Sequence, residues 1–304
     1  MKVRNDLAVI TSHYNWCNYN RPDQNLNRFL RQMETHGIPV YGAEASLTGK
    51  FITEGNTNWV HVKANENNIC FQKEALLNIA ESIVPEQYTK IAWVDHDLLF
   101  TNLNWYDEAS KALDELNLIQ LFEHCYWTDN KGNIERHAQA VLSIPNLTNE
   151  HINIRNGEYN AYHCGFALAA NRSLWSSGIK LYPYCFIGGG DVSLIFNVIS
   201  DDTSTIKVKH ANHHAAQSFK PFLEYTPTFY KYVNKKTGCI SGSVFHEYHG
   251  PRLFRKHGAR QKLIDKFNFN LNTSLVLNNG LLEVHDNQFV NVLKQYFEER
   301  REDD

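Results

Sequence analysis

No apolar stretch among these 304 residues approaches the ~18 that a membrane helix requires. The N-terminus, MKVRNDLAVITSHYNW, passes straight into a strand-like run without the hydrophobic core of a secretory signal. Both absences lead us to expect a cytoplasmic protein. No two of the six cysteines, at 17, 70, 125, 164, 185 and 239, stand in a C-x-x-C spacing, which argues against a zinc knuckle or redox pair and for reduced, buried thiols. In such a compartment the sequons at Asn146, Asn171 and Asn272 carry no sugar. Internal repeats and low-complexity linkers are missing too, so neither a solenoid nor a disordered tether is indicated. With 42% hydrophobic and 21% charged residues, the composition is that of a folded chain, long enough for one large α/β domain or two smaller ones.

Acids are nearly absent from one region. Between Thr205 and Lys262 stand eleven Lys or Arg, including Lys207, Lys209, Lys220, Lys231, Lys235 and Lys236, against Glu224 and Glu247 alone. That segment is +9 in a chain of net charge -3, so the remainder is -12. Aromatics run through it, among them Phe219, Phe222, Tyr225, Phe229, Tyr230 and Tyr248. Basic and aromatic side chains together suit a polyanion, either a nucleotide diphosphate or a nucleic acid; a solvated surface over core aromatics reads equally well.

Periodicity alternates strands with helices. LAVITSH (7–13), IPVYGAE (38–44), WVHVKA (59–64), KIAWVD (90–95) and NLIQLFE (117–123) read as strands. Between them RPDQNLNRFLRQMETHG (21–37), NICFQKEALLNIAESIV (68–84) and NWYDEASKALDEL (104–116) read as helices. This order predicts a parallel-rich sheet covered by helices, with ligands beyond the carboxyl ends of its strands.

IAWVDHD (91–97) ends such a strand with two carboxylates. Asp95 and Asp97, one residue apart on an extended chain, project to the same side and so face one hard cation. The alternative is that one caps the following turn and the other is solvated. Further on, HCGFALAANRSLW (163–175) reads as a strand and short helix, and IGGGD (187–191) places Gly188, Gly189 and Gly190 before Asp191 at a helix N-terminus. Three glycines allow a ligand close to the backbone.

In this order the motifs resemble the metal-dependent glycosyltransferases of the GT-A fold. VDHD is similar to their DxD motif, HCGFALAANRSLW with IGGGD to the acceptor-side segment of galactosyltransferase-like enzymes, FHEYHGPRLFRKH (245–257) to a late histidine element, and FQKEALLNIA (71–80) to a helix of the same group. The resemblance spans about residues 7 to 265. Two departures stand out: His96 is the middle residue of the DxD, and Ile-Gly-Gly-Gly-Asp replaces the usual Trp-Gly-Gly-Glu-Asp, which leaves the role of Asp191 open.

The resemblance implies a Rossmann-like, mostly parallel central sheet flanked by helices. It implies one catalytic domain over 1–275, with a donor half to about 125 and an acceptor and metal half beyond, then a C-terminal extension, 276–304. A sugar would pass from a nucleotide diphosphate, expected to be a UDP-sugar, to an acceptor hydroxyl. Mn²⁺ or Mg²⁺ would be held by Asp97, by Asp95 unless it binds the ribose, and by His246 or His249, with His246 favoured. Arg252, Arg255 and Lys256 would meet the diphosphate, and Thr11, Ser12, Tyr14 and Lys73 the rest of the donor. Asp191 would be the base of an inverting reaction. The HEYHG and QKEALLN elements are also similar to glycosyltransferases of bacteriophages, which implies a host-cytoplasmic enzyme. They suggest as acceptor a hydroxymethylated pyrimidine of duplex DNA, contacted through residues 205–262. Saccharide or protein acceptors, a metal-dependent nuclease or phosphatase, and a non-catalytic nucleic-acid-binding module are the alternatives.

Overall fold

The computed structural model describes residues 5–156, 159–202 and 219–304. The chain begins with β1 (Leu7–Tyr14), α1 (Asn20–Thr35), β2 (Val40–Ser46), β3 (Trp59–Lys63), α2 (Lys73–Glu81) and β4 (Lys90–Val94). Next come β5 (Leu98–Phe100), α3 (Trp105–Ala112), β6 (Leu118–Gln120), β7 (His124–Thr128) and β8 (Ile134–Ala140). Short strands β9 (Arg155–Asn156), β10 (Tyr159–Asn160) and β11 (Tyr162–His163) precede β12 (Ala167–Asn171), α4 (Gly190–Ile199) and α5 (Lys220–Val233). The chain closes with β13 (Thr237–Cys239), β14 (Ser243–His246), β15 (Leu275–Asn278), β16 (Leu281–Val284) and α6 (Asn287–Glu298). Helices shorter than two turns are left unnumbered.

Seven strands form the main sheet in the order β13-β6-β12-β4-β1-β2-β3. It is a mixed sheet rather than a classic parallel one, because β12 runs antiparallel to both β4 and β6. The reason is the path between β6 and β12. The chain leaves the carboxyl end of β6, makes the β7–β8 hairpin, and re-enters at that same end, where Asp95 N donates to Phe166 O at 2.8 Å. A strand starting there must run downward. Nothing in ALAAN encodes its direction.

Along β1, Ala8 and Ile10 face one core cluster and Leu7 and Val9 the other, so the sheet is buried on both faces. Leu26, Phe29 and Met33 on α1 are buried at helical spacing, and Phe29 and Met33 cover the second face. That helix stops where Gly37 takes φ +64° and Ile38 N reaches back to Met33 O at 2.9 Å. Helices α2, α4, α5 and α6 cover the first face.

A second sheet, β11-β8-β7-β14-β5, stands on the carboxyl ends of β4 and β6. Only Asp95, His96 and Asp97 link β4 to β5. The two acids are therefore fixed where the sheets meet.

Residues 276–304 pack on the same core. Asn279 and Gly280 turn β15 into β16 with φ +49° and +84°, the backbone an Asn-Gly hairpin needs. Asn68 Nδ2 and Gln72 Nε2 both donate to Leu282 O at 2.8 Å. Leu282, Val284, Phe289 and Leu293 are all but fully buried, each worth roughly 1.5–3 kcal/mol over exposure.

The basic segment does not form one face among the described residues. Lys207 and Lys209 lie outside them. Lys235 and Lys236 precede β13, whose Thr237 is level with Leu118 on β6 and, through β12, with Ile91 on β4. Asp95 follows the opposite end of β4, ~13 Å further along the strand direction. Phe222, Phe229 and Val233 recur at helical spacing and turn into the core, and Phe219 is buried too. These rings are interior, not a stacking surface.

Candidate active site and metal centre

A cleft of about 640 Å³ opens at the carboxyl ends of the main sheet, beneath the second sheet and against the C-terminal residues. Antiparallel pairing of β5 with β14 sets His246 opposite Leu98, and Glu247 N donates to Asp97 O at 2.7 Å. That pairing brings Asp97 to the histidines. The HEYHG loop then packs so tightly on the chain end that a Cβ at Gly250, φ +89°, would lie 2.7 Å from Glu302 Cα.

Asp97 Oδ2 lies 3.4 Å from His246 Nε2 and 3.1 Å from His249 Nε2, and the two Nε2 atoms are 3.3 Å apart. His249 Nδ1 donates to Glu302 Oε1 at 3.1 Å, which leaves its Nε2 as a bare lone pair in the neutral ring. Asp97 Oδ1 is buried without a hydrogen-bond partner among the described residues. Lone pairs converging on one point repel unless a proton or cation lies between them. Two imidazoles and a carboxylate suit a borderline divalent ion, so Asp97, His246 and His249 form a site compatible with such a cofactor. Both histidines join it, where the sequence left them competing.

The protonation states agree with that. Burial opposes ionisation of Asp97, but His246, His249 and His96 outweigh it and hold the carboxyl well below the usual range. Burial pushes His246 down to about 3 against the pull of Asp97. A deprotonated acid beside a neutral ring is what a metal ion requires. Because Glu302 orients His249 without touching the ion position, Glu302→Ala should lower Mn²⁺ affinity by about 10- to 100-fold. Calorimetry would measure it, and unchanged affinity would remove Glu302 from the site.

Asp95 stands apart from this cluster. Its Oδ1 lies 2.6 Å from Lys73 Nζ, which also sits 3.0 and 3.2 Å from the two oxygens of Asp191. The chain turns at His96 and Asp97, so the same-side projection of an extended strand does not apply. Gly188 and Gly189 adopt φ +78° and +94° and deliver the N-terminus of α4 to the cleft. A Cβ on Gly190 would collide with the Glu74 carboxylate, and one on Gly165 with Asp191.

Burial, stronger than the attraction of Lys73, pushes the Glu74 carboxyl up to about 7 and Asp95 to about 7. A raised acid binds its proton more tightly when folded. Its stabilising effect is therefore complete below pH 4.5 and is lost as pH rises through 7. Glu74→Gln should match the wild type in thermal unfolding near pH 4.5 and exceed it at pH 8, by on the order of 1–3 kcal/mol. A constant difference across that range would show that Glu74 is not held protonated.

Of the expected donor residues, Ser12, Tyr14, Lys73, Arg252 and Arg255 line the cleft. Thr11 does not. It is fully buried and donates to Val94 O at 2.8 Å, because alternation on β1 turns it inward. Lys256 also leaves the cleft, pairing with Glu299 in the open. Arg260 and Arg300 take its place, stacked over Phe71 at 4.6 and 5.6 Å. Burial and the neighbouring Arg300 push Arg255 down to about 10. The Nε atoms of Arg255, Arg260 and Arg300 are buried without partners among the described residues. Crowded guanidiniums with unspent donors could hold an anion. Glu74, Arg260, Arg300 and Glu302 went unread in the sequence. The one signal was the blocky charged run EERREDD (298–304), which begins at the end of the amphipathic stretch 287–298.

No helix among the described residues is long and apolar enough to cross a membrane. No protein-family model matches the chain, and no curated protein matches it. Among solved structures, mannosyl-3-phosphoglycerate synthase from Rubrobacter xylanophilus is similar over 92% of this chain and 85% of its own, at 9% identity and a TM-score of 0.39. The catalytic domain of Drosophila β1,4-galactosyltransferase 7 with xylobiose is similar over 62% of this chain at 12% identity and a TM-score of 0.36, and the match spans only 59% of that enzyme's chain. A 4-diphosphocytidyl-2C-methyl-D-erythritol synthase from Anaerococcus prevotii follows, at 8% identity, 96% coverage of each chain and a TM-score of 0.35.

Proposed function

We propose that this protein is a metal-dependent glycosyltransferase that moves a sugar from a nucleotide diphosphate to an acceptor hydroxyl. The observation that carries the reading is the juxtaposition of a two-histidine, one-aspartate cluster with a crowded arginine set in one cleft. Glu302 Oε1 joins them, accepting from His249 Nδ1 at 3.1 Å and pairing with Arg300. A divalent ion held by Asp97, His246 and His249 would supply positive charge to a departing diphosphate. Arg252, Arg255, Arg260 and Arg300 would bind that diphosphate, and Ser12 and Tyr14 would meet the nucleoside. Lys73 holds Asp95 and Asp191 on the far wall, Asp95 toward hydroxyls of the donor and Asp191 toward the acceptor. A two-metal nuclease would call for a second ligand cluster, and the described residues hold one.

For the acceptor we carry forward a hydroxymethylated pyrimidine in duplex DNA, resting on the resemblance of the HEYHG and QKEALLN elements and not on a basic face, with saccharide or protein hydroxyls as the alternative. Duplex binding that weakens steeply with salt, and transfer to hydroxymethylated DNA, support the first. Transfer only to free saccharides or protein removes it and leaves the glycosyltransferase reading intact. The test of that reading is titration with UDP and UDP-sugars with and without Mn²⁺, alongside an assay for slow donor hydrolysis. Metal-dependent binding is expected; no binding of any nucleotide sugar with Mn²⁺ or Mg²⁺ would overturn it.

A further inference from the structure

Helix α1 begins without a side-chain cap of its own: its N-cap residue is Tyr19, whose side chain bonds to no N–H of the first turn. A helix leaves the N–H groups of its N-cap and first three residues without intrahelical partners. Here Tyr19 N donates to Asn15 Oδ1 at 3.0 Å, and Pro22 has no N–H to satisfy. The two that remain go to one carboxylate far along the chain. Asn20 N donates to Asp303 Oδ2 at 2.9 Å and Arg21 N to Asp303 Oδ1 at 2.7 Å, with Asn20 Nδ2 adding a third bond at 3.0 Å. The peptide dipoles of α1 favour a negative charge at that place as well. Beside it Tyr19 Oη donates to Glu298 O at 2.6 Å and accepts from Arg301 N at 3.2 Å.

Between these anchors lie the residues that reach the cleft. Arg300 and Glu302 line it and Asp303 does not. The chain reverses at Arg301, which takes φ +46°, a backbone disfavoured for any residue with a Cβ. Such a conformation persists only where its surroundings hold it. On the cleft side the hold is Gly250, whose Cβ position lies 2.8 Å from Arg301 O, together with the bond from His249 Nδ1 to Glu302 Oε1 at 3.1 Å. On the other side it is Asp303 on α1. That helix is itself fixed to the main sheet by Phe29 and Met33, so it serves as a rigid post.

We infer that Asp303 is a positioning residue for the metal centre: by completing the first turn of α1 it clasps residues 299–303 in the form in which Glu302 orients His249 and Arg300 faces the diphosphate. The role this serves rests on the metal-dependent glycosyltransferase reading; the clasp itself does not. Asp303 is exposed, so water can replace its oxygens on the two N–H groups. Its loss should therefore weaken the cleft far more than the fold.

The test reads the clasp and its consequence separately. In Asp303→Ala, trypsin should cleave after Arg300 or Arg301 about fivefold faster or more than in the wild type, followed by mass spectrometry, because cleavage tracks the population of the opened form. Calorimetry should show Mn²⁺ affinity reduced roughly 3- to 20-fold, the range that the worth of an N-cap allows, with the melting temperature within about 5 °C of wild type. Asp303→Asn, whose side chain caps a helix equally well, should restore both readings. In a Glu302→Ala background, Asp303→Ala should weaken Mn²⁺ binding no further, since the route through Glu302 is already lost. Equal trypsin rates in the wild type and Asp303→Ala would overturn the clasp whatever the metal does. Unchanged Mn²⁺ affinity in the opened variant, or a further loss of the same factor in the Glu302→Ala background, would overturn the route through Glu302 and leave the metal centre standing. A wild type that binds no Mn²⁺ would overturn the metal reading and the positioning role with it, while the trypsin comparison still decides the clasp.

Discussion

Asp97→Ala is expected to abolish metal-dependent nucleotide binding, with at least a 100-fold loss of Mn²⁺ affinity and no measurable transfer. Asp97 is the only anionic ligand of the three, and it lies within 3.4 Å of both imidazole nitrogens. Two neutral rings alone hold a hard divalent ion poorly. The fold should survive, because the carboxylate sits between the sheets at a turn and contributes no apolar packing. Without metal the attraction of the neighbouring histidines outweighs the desolvation of its charge, so removing it should lower the melting temperature while the apolar packing of the two sheet faces keeps the fold. Unchanged binding of Mn²⁺ and UDP in a folded Asp97→Ala protein would show that the ion sits elsewhere. A variant that fails to fold is bypassed by Asp97→Asn, which keeps the shape and removes the charge.

How much of this was legible in the chain follows from what each signal encodes. Short apolar runs located β1, β2, β3 and β4 within about two residues, since a sheet covered on both faces keeps polar side chains off either side. Asp97, His246 and His249 could be named from local motifs, but not their meeting. That depends on β14 crossing to pair with β5, a contact between positions far apart in sequence. Asp95 differs: its place as a second metal ligand assumed an extended backbone, and the chain turns at His96 and Asp97, so that of its two expected roles the contact to donor hydroxyls is the one proposed. Lys256 was chosen by proximity to other basic residues. A left-handed backbone at φ +46° instead points it away, while Arg260 one helical turn on enters the cleft. Arg300 and Glu302 were hidden because an amphipathic terminal helix states that it packs, not where.

Asp191→Asn is expected to lower turnover by about 10²–10⁴-fold while leaving donor affinity within about threefold. The two oxygens of Asp191 are 3.0 and 3.2 Å from Lys73 Nζ. Asparagine keeps one acceptor for that contact and the same volume beside Gly165 and Glu74, so the wall of the cleft should hold its shape. What the amide cannot do is take a proton. Asp191 also lies in the first turn of α4, where unsatisfied N–H groups favour the anion, so the ground state gains from the charge as well. An acid that acts on the acceptor late in the reaction affects kcat rather than donor binding. If the anomeric configuration is inverted, the loss should fall on kcat at saturating acceptor. If it is retained, no base is required, and the loss should fall on acceptor KM instead. Stereochemistry of the product and the two kinetic constants can be read from one reaction series. Normal turnover with weakened UDP binding would place Asp191 on the donor side, with Lys73 bridging two donor contacts rather than separating donor from acceptor.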